Sequence, residues 1–433
     1  TVGAGLVIDC SKHVRSILNV DAPNRTVEVE PGLVLDHLNA ALKPHGLWYP
    51  VDVSTSAQAT LGGMAGNNSC GSRSIAYGNM VHNVLGIDAW LADGRVTSFG
   101  PQADATGPAQ QLGALAASLA AKHREEIERV WPKVMRRVAG YNLDIFCNQS
   151  ERPYTADGSV NLAHLLVGSE GTLAIVTKII LKLLPLPQKN VSLLVPFPTL
   201  AQAIGTVPLI VKSKAIPTAI EFMEREVIMD AEEYLGRKFP DNQADAYLLL
   251  KFDGNTMEEI ASYYDGVAQI CLDQRAVALL IADTDERSDS IWKARGAFLE
   301  AIKSSTSAMD EVDVVVPRSH VNEFVEYIHG LQKELGMRIK CFGHAGDGNL
   351  HVYLLKDDLS DADWHRILET GMEKMYTMAK SMDGQVSGEH GIGLAKRPYL
   401  KESLDAPTIR LMQHIKDAFD PNHILNPHKV CFN

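Results

Sequence analysis

Alternation of apolar and polar residues marks the strands of this chain. Thr26-Val-Glu-Val-Glu30 alternates with period two, and Ala174-Ile-Val-Thr-Lys-Ile-Ile-Leu181 is a longer β-branched run. Leu6-Val-Ile-Asp9 reads as a further strand, and apolar positions recurring at three and four predict helices over residues 32–42 and 110–134. Residues 1–187 therefore predict an α+β domain. Leu184-Pro-Leu-Pro187 reads as its stiff exit, because proline fixes φ and supplies no amide donor. Residues 188–378 continue with strands at 192–196, 218–223, 247–253, 276–282 and 313–316. Between them run helices at 199–212, from 257 onward, at 286–303 and at 318–335. That rhythm predicts a sheet covered on one face by helices. In residues 379–433, Asp405 can cap a helix with Pro407 in its first turn and Ile409, Met412, Ile415 and Phe419 on one face.

Composition then excludes several function classes. The chain has 433 residues, 45% of them hydrophobic, which is ample for two or three domain cores. Its 53 acidic and 41 basic residues give a net charge of −12, and there is no basic run, so neither nucleic acid nor an anionic membrane surface is expected as a partner. The longest apolar stretch, around 165–186, is broken by Glu170, Lys178, Lys182 and Pro185, so no transmembrane segment is expected. Six scattered cysteines without a Cys-x-x-Cys pair argue against a disulfide framework and against an iron–sulfur cluster on this chain. A reducing compartment follows: the cytoplasm, or the mitochondrion if the source is eukaryotic. The sequence enters Leu6-Val-Ile-Asp9 without a lead-in, so the native N-terminus is expected to lie upstream.

Chemistry concentrates in two groups of motifs. Thr60-Leu-Gly-Gly-Met-Ala-Gly-Asn-Asn-Ser-Cys-Gly71 and Gly168-Ser-Glu-Gly-Thr172 are glycine-rich loops, the second set between apparent strands Leu165-Leu-Val167 and Leu173-Ala-Ile-Val176. Such loops can bring bare backbone to a phosphate or a flavin ring, although a long surface turn has the same composition. In Gly343-His-Ala-Gly-Asp-Gly-Asn-Leu-His351 two imidazoles flank a glycine-filled turn, and Ser387-Gly-Glu-His-Gly-Ile-Gly393 sets Glu389 beside His390. Two imidazoles and one carboxylate, His344, His351 and Glu389, are the ligand set expected of a catalytic Zn²⁺, Fe²⁺ or Mn²⁺, with zinc favoured. The other twelve histidines read as ordinary surface or core residues.

With these motifs, Trp48-Tyr-Pro-Val-Asp52 and Asp420-Pro-Asn-His-Ile-Leu-Asn-Pro427, the chain resembles the FAD-linked oxidases of the vanillyl-alcohol-oxidase type. Within them it is similar to the D-lactate, glycolate and D-2-hydroxyglutarate dehydrogenase group. The resemblance implies an α+β architecture with a two-part, PCMH-type FAD-binding domain in residues 1–187 and a substrate (cap) domain in 188–378. The latter would be an antiparallel sheet covered by helices, and residues 379–433 would return to the flavin. It implies that Pro50, Asp52, Ser54, Thr60, Gly62, Gly63, Asn68, Gly71, Gly168, Glu170, Gly171, Thr172 and Asn426 line FAD. It also implies that His390 is the catalytic base and that Arg295, in Trp292-Lys-Ala-Arg295, clamps the substrate carboxylate. The structural alternative for Arg295 is a solvated helix charge, and Cys70 reads as an inert loop residue.

The family's Arg-Gly-x-Gly-Thr pyrophosphate segment does not precede the first strand here, as if truncated or disordered. Where 2-hydroxyglutarate dehydrogenases hold a second substrate carboxylate with a threonine and a lysine, this chain has Leu299 and Glu311. A small monocarboxylate such as D-lactate is therefore the favoured substrate, with glycolate and D-2-hydroxyglutarate as alternatives. A separate electron acceptor is expected (electron-transfer flavoprotein, quinone or cytochrome), as is a possible homodimer. The competing classes are an oxidase that reduces O₂ directly and a non-catalytic subunit of an electron-transfer complex.

Overall fold

The computed structural model describes residues 5–149, 152–213, 215–241 and 243–431. The chain divides into two compact units: Thr1–Gly71, Tyr77–Leu186 and Val386–Asn433 form the first, Ser72–Ala76 and Pro187–Gln385 the second. Residues 386–433 thus belong with the first unit, and the second runs to 385.

The first unit is built on a five-stranded antiparallel sheet. Its strands are β1 (Ile17–Asp21), β2 (Thr26–Val29), β4 (Val84–Trp90), β5 (Val96–Phe99) and β6 (Ile175–Lys182), in the order β1-β2-β6-β4-β5. The alternation in β2 has its expected consequence, with Val27 and Val29 buried. The proline-rich exit is not a free linker, because β7 (Leu184–Pro185) pairs with β3 (Leu47–Trp48). Leu6-Val-Ile-Asp9 forms no strand: β1 occupies the sheet edge, and Leu6, Val7 and Ile8 stand exposed. Leu165 and Leu166 belong to a helical turn, Ala163–Leu166, and not to a strand, and Val167 ends that turn. All four residues of that turn are buried, so its sequence has no period to read, and Asn161 Oδ1 accepts from the Ala163 amide at 2.9 Å to start it. The helix expected at 110–134 is two helices, Gly107–Lys122 and Arg124–Val130, ending before Pro132.

The second unit holds a seven-stranded, fully antiparallel sheet. Its strands are β8 (Lys189–Phe197), β9 (Ala219–Glu224), β10 (Ala246–Gly254), β11 (Leu280–Ala282), β12 (Met309–Val315), β13 (Ile339–His344) and β14 (Asn349–Leu355). Their order is β11-β8-β10-β9-β13-β14-β12. Both faces are covered, contrary to the one-sided expectation, since every residue of 246–250 is buried. Helices Arg225–Leu235 and Phe298–Ser304 pack Val227, Ile228 and Phe298 against Tyr247, Leu249 and Phe342. The longer helices Leu200–Lys212, Met257–Asp273, Val321–Leu335 and Asp361–Ser381 pack on the sheet's other side. The expected helix at 286–303 breaks at Ala297, after Gly296, into Asp285–Gly296 and Phe298–Ser304, and the strand expected from 276 begins only at Leu280. Among the described residues no helix is long and apolar enough to cross a membrane.

Candidate functional site

In the second unit the site grows from the β13–β14 hairpin. The register pairs Phe342 with His351 and His344 with Asn349, so all four side chains share one face of the sheet. Residues 345–348 reverse the chain. Gly348 has φ +79°, and a Cβ there would stand 2.0 Å from the Val316 carbonyl oxygen, so only glycine closes this turn. Ser74 Oγ donates to Asp347 Oδ2 at 2.5 Å and holds the turn from outside. Met223 of β9 pairs with Phe342 and Tyr353 with Glu311 of β12, so Glu221 and Glu311 emerge on the histidine face.

Each imidazole is fixed by one of those carboxylates. His344 Nδ1 lies 2.5 Å from Glu221 Oε1, and His351 Nδ1 lies 2.9 Å from Glu311 Oε1. A carboxylate only accepts, so each Nδ1 carries a proton and each ring turns its Nε2 the other way. The two Nε2 atoms face each other at 3.3 Å, and both rings are over nine-tenths buried. Two unprotonated nitrogens at that distance would repel. A positive charge between them, a proton or a metal ion, removes that repulsion, and a carboxylate on the far nitrogen is the usual outer partner of a metal-binding histidine. Burial alone would raise the Glu221 pKa, but the charges of His344 and Arg295 outweigh it and bring it down to about 2.

Arg295 sits in the last turn of Asp285–Gly296, a helix fastened to β8 by Trp292 Nε1 donating to Ser192 Oγ at 2.9 Å. Its Nε and Nη2 both donate to Glu221 Oε2, at 3.0 and 2.7 Å, and its guanidinium lies 4.5 Å from the Phe342 ring centroid. It is a clamped, largely buried cation and not a solvated helix charge. Leu299 is exposed on the following helix, Glu311 stands beside His351, and Tyr353 is a core aromatic stacked on Phe342. Glu221 is not among the residues singled out from the sequence. Its parity was the available signal: Ala219, Glu221 and Met223 alternate on one face, and a carboxylate between two apolar neighbours of a buried strand is a buried charge.

Glu389 and His390 belong to the first unit. Glu389 Oε2 accepts from Arg136 Nη1 at 2.8 Å, and its carbonyl oxygen accepts from Asn67 Nδ2 at 2.7 Å. Arg136, with no exposed surface, also donates to the Gly71 carbonyl, so it ties the end of the first glycine loop to Glu389. His390 is 44% exposed, with Nε2 3.7 Å from Glu389 Oε1. The sequence candidates are thus divided: His344, His351 and Arg295 in one unit, Glu389 and His390 in the other.

The glycine loops of the first unit lie side by side. The amides of Gly168 and Glu170 donate to the carbonyls of Ala65 and Gly66, each at 2.8 Å. The first loop is in fact helical over Leu61–Asn67, because Thr60 Oγ1 accepts from the Gly63 amide, Leu61, Met64 and Ala65 are buried, and Asn68 ends it at φ 51°. The candidates for FAD contact separate by exposure. Ser54, Gly63, Gly171 and Asn426 are exposed, and Asp52, Thr60, Gly62 and Glu170 are half-buried. Pro50, Asn68, Gly71, Gly168 and Thr172 are buried. The Asn68 side chain spans Arg137 and Val81, and Thr172 Oγ1 donates to Ser169, so both side chains hold the loops in place. Glu170 ties three segments together: its carboxylate accepts from the amides of Ile392 and Gly393, both at 2.7 Å, and its carbonyl from Asn426 Nδ2. Cys70 is buried, its Sγ 3.8 Å from the Gly388 carbonyl oxygen. At Gly63 and Gly171 the backbone carries no side chain at an exposed edge, which fits the close approach of a planar cofactor such as FAD.

Residues 1–100 match the FAD binding domain family, and residues 186–430 match the family described as FAD linked oxidases, C-terminal domain. The chain is 34% identical over its whole length to a D-lactate dehydrogenase of Anaerostipes hadrus, covering 81% of that protein. Over 98% of its length it is 32% identical to glycolate oxidase subunit GlcD of Bacillus subtilis, covering 79% of it. The fold is shared with p-cresol methylhydroxylase, at a TM-score of 0.66 and 14% identity over 97% of this chain and 78% of that one. The antiparallel second sheet, the glycine-rich first unit and these matches agree: the chain belongs to the FAD-linked oxidases.

Proposed function

We propose that this protein is an FAD-dependent dehydrogenase that oxidises a small D-2-hydroxy acid, D-lactate before others, to the 2-oxo acid. The observation that carries the reading is the pair of Nε2 atoms 3.3 Å apart, each ring fixed from behind by a carboxylate, which would supply two ligands to a divalent metal. The third ligand, Glu389, is taken from the motif Ser387-Gly-Glu-His. When bound, FAD supplies the hydride acceptor and the metal supplies Lewis acidity toward the substrate hydroxyl.

The chain's own residues would do the rest. Arg295 would receive the substrate carboxylate as a planar fork already set by Glu221 and Phe342. His390 would take the hydroxyl proton at an imidazole nitrogen, general-base help worth about 10² to 10⁴ in rate. Glu311 supports the choice of a monocarboxylate. A second substrate carboxylate reaching the His351 side would meet an anion, where like charges in a poorly solvated site cost several kcal/mol, ~4 at an effective dielectric of 20.

A stopped-flow panel of D-lactate, glycolate, D-2-hydroxyglutarate and L-lactate against bound flavin, with metal analysis of the same sample, tests the reading. His344→Ala should release metal and abolish flavin reduction. His390→Ala should cut reduction about 10²- to 10⁴-fold while flavin and metal stay bound. Normal turnover by either variant, or a wild-type protein reduced faster by D-2-hydroxyglutarate than by D-lactate, would overturn the corresponding assignment.

A further inference from the structure

We infer that Glu221 is a positioning residue that sets, with one carboxylate, both the metal-facing nitrogen of His344 and the substrate-facing edge of Arg295; this rests on the function proposed above. The two oxygens are divided between two donors. Oε1 takes the His344 Nδ1 proton at 2.5 Å, while Oε2 takes Arg295 Nε and Nη2 at 3.0 and 2.7 Å. Because Glu221 has no exposed surface, water cannot replace it in either role.

The consequence at Arg295 is geometric. Glu221 occupies the side of the guanidinium formed by Nε and Nη2, and Phe342 covers a face at 4.5 Å, so the edge left for an anion is the one formed by Nη1 and Nη2. The consequence at His344 is a fixed orientation, with a proton held on Nδ1 so that Nε2 is the nitrogen that would ligate a metal. An amide of the same shape cannot serve both, because Gln has one accepting oxygen and one donating nitrogen. If the oxygen of a Glu221→Gln side chain faces Arg295, its NH₂ faces His344 Nδ1, and the imidazole must move its proton to Nε2, where a metal ligand cannot have one. If the oxygen faces His344, the NH₂ confronts the arginine's own donors and displaces the guanidinium.

The test uses the full chain with flavin bound, as wild type, Glu221→Gln and Arg295→Gln. Zinc affinity is read by chelator competition, and carboxylate binding by the change oxamate makes to the bound-flavin spectrum. Retained flavin absorbance reports folding. Arg295→Gln is expected to weaken oxamate binding and leave zinc affinity unchanged. Glu221→Gln is expected to weaken zinc binding about 10- to 100-fold, as loss of an outer carboxylate does. It should also weaken oxamate binding roughly tenfold or more, the equivalent of one hydrogen bond to a charged group. If Glu221→Gln does not accumulate with flavin, Glu221→Asp, which keeps the charge but is too short to span both partners, is read in the same two titrations. Wild-type affinity for both probes, or a loss of only one, overturns the shared role. A wild-type protein that binds flavin but no zinc, Fe²⁺ or Mn²⁺ sinks the metal reading itself, and the shared role with it.

Discussion

Single residues decide what the motifs can do, and several of the decisive ones carry no motif. Arg136 is a fully buried cation bridging Glu389 and the Gly71 carbonyl, yet in sequence it is one of a pair of arginines in an unremarked stretch. Glu221 is equally silent, because a glutamate in a strand reads first as a solvent-facing residue. Asn68 and Thr172 lie inside the motifs, and their side chains hold the loops. Replacing Arg136 with methionine removes one cation from the Glu389 carboxylate, which is 17% exposed. Removing one partner of a buried pair costs about 3 kcal/mol. Arg136→Met should therefore lower the urea-unfolding free energy by about that amount, and an unchanged midpoint would show that Glu389 is held by other groups.

Whole elements were legible where period and partner agreed. The turn of the β13–β14 hairpin could be read from its histidines and glycines, but its two strands, buried at every position, were not among the expected strands, and Leu61–Asn67 reads as loop because its glycines hide a capped helix. The C-terminal helix Ala406–Phe419 showed its Asp405 cap in sequence but not its anchor, the buried Lys416, whose Nζ donates to Asp420 and to the carbonyls of Thr172 and Leu425. The turn Ala163–Leu166 was hidden by uniform burial, and it is tied to β4 through His164 Nε2 and the Val84 carbonyl oxygen, 3.0 Å apart. Burial lowers the His164 pKa from 6.5 to about 4, so the unfolded chain binds a proton there that the folded chain refuses. Stability should fall as pH drops from 6.5 toward 4, by about 1.4 kcal/mol per pH unit from this group. In His164→Gln the slope of unfolding free energy against pH over that window should be shallower by this amount. An identical slope would mean that His164 is protonated in the fold.

At the scale of the whole molecule, charge is distributed as unevenly as chemistry. Residues 72–76 and 187–385 carry 32 acidic and 21 basic side chains against 21 and 20 in the remainder, so nearly all of the net −12 resides on the second unit. The proposed substrates are anions, and Arg295, the cation meant to receive them, is already paired with Glu221. Long-range electrostatics should therefore oppose substrate approach even though local groups favour its binding. Salt screens the distant charges first, with a Debye length of about 10 Å at 0.1 M, and leaves contacts within hydrogen-bond reach largely intact. The second-order rate of flavin reduction by sub-saturating D-lactate should then rise, on the order of threefold, as ionic strength is raised from ~0.01 to ~0.15 M. An uncharged competitor for the same site should show no such dependence. A rate that falls with salt would mean that a local positive funnel overrides the acidic surface, and the cations forming it would then have to be sought outside the Glu221–Arg295 pair.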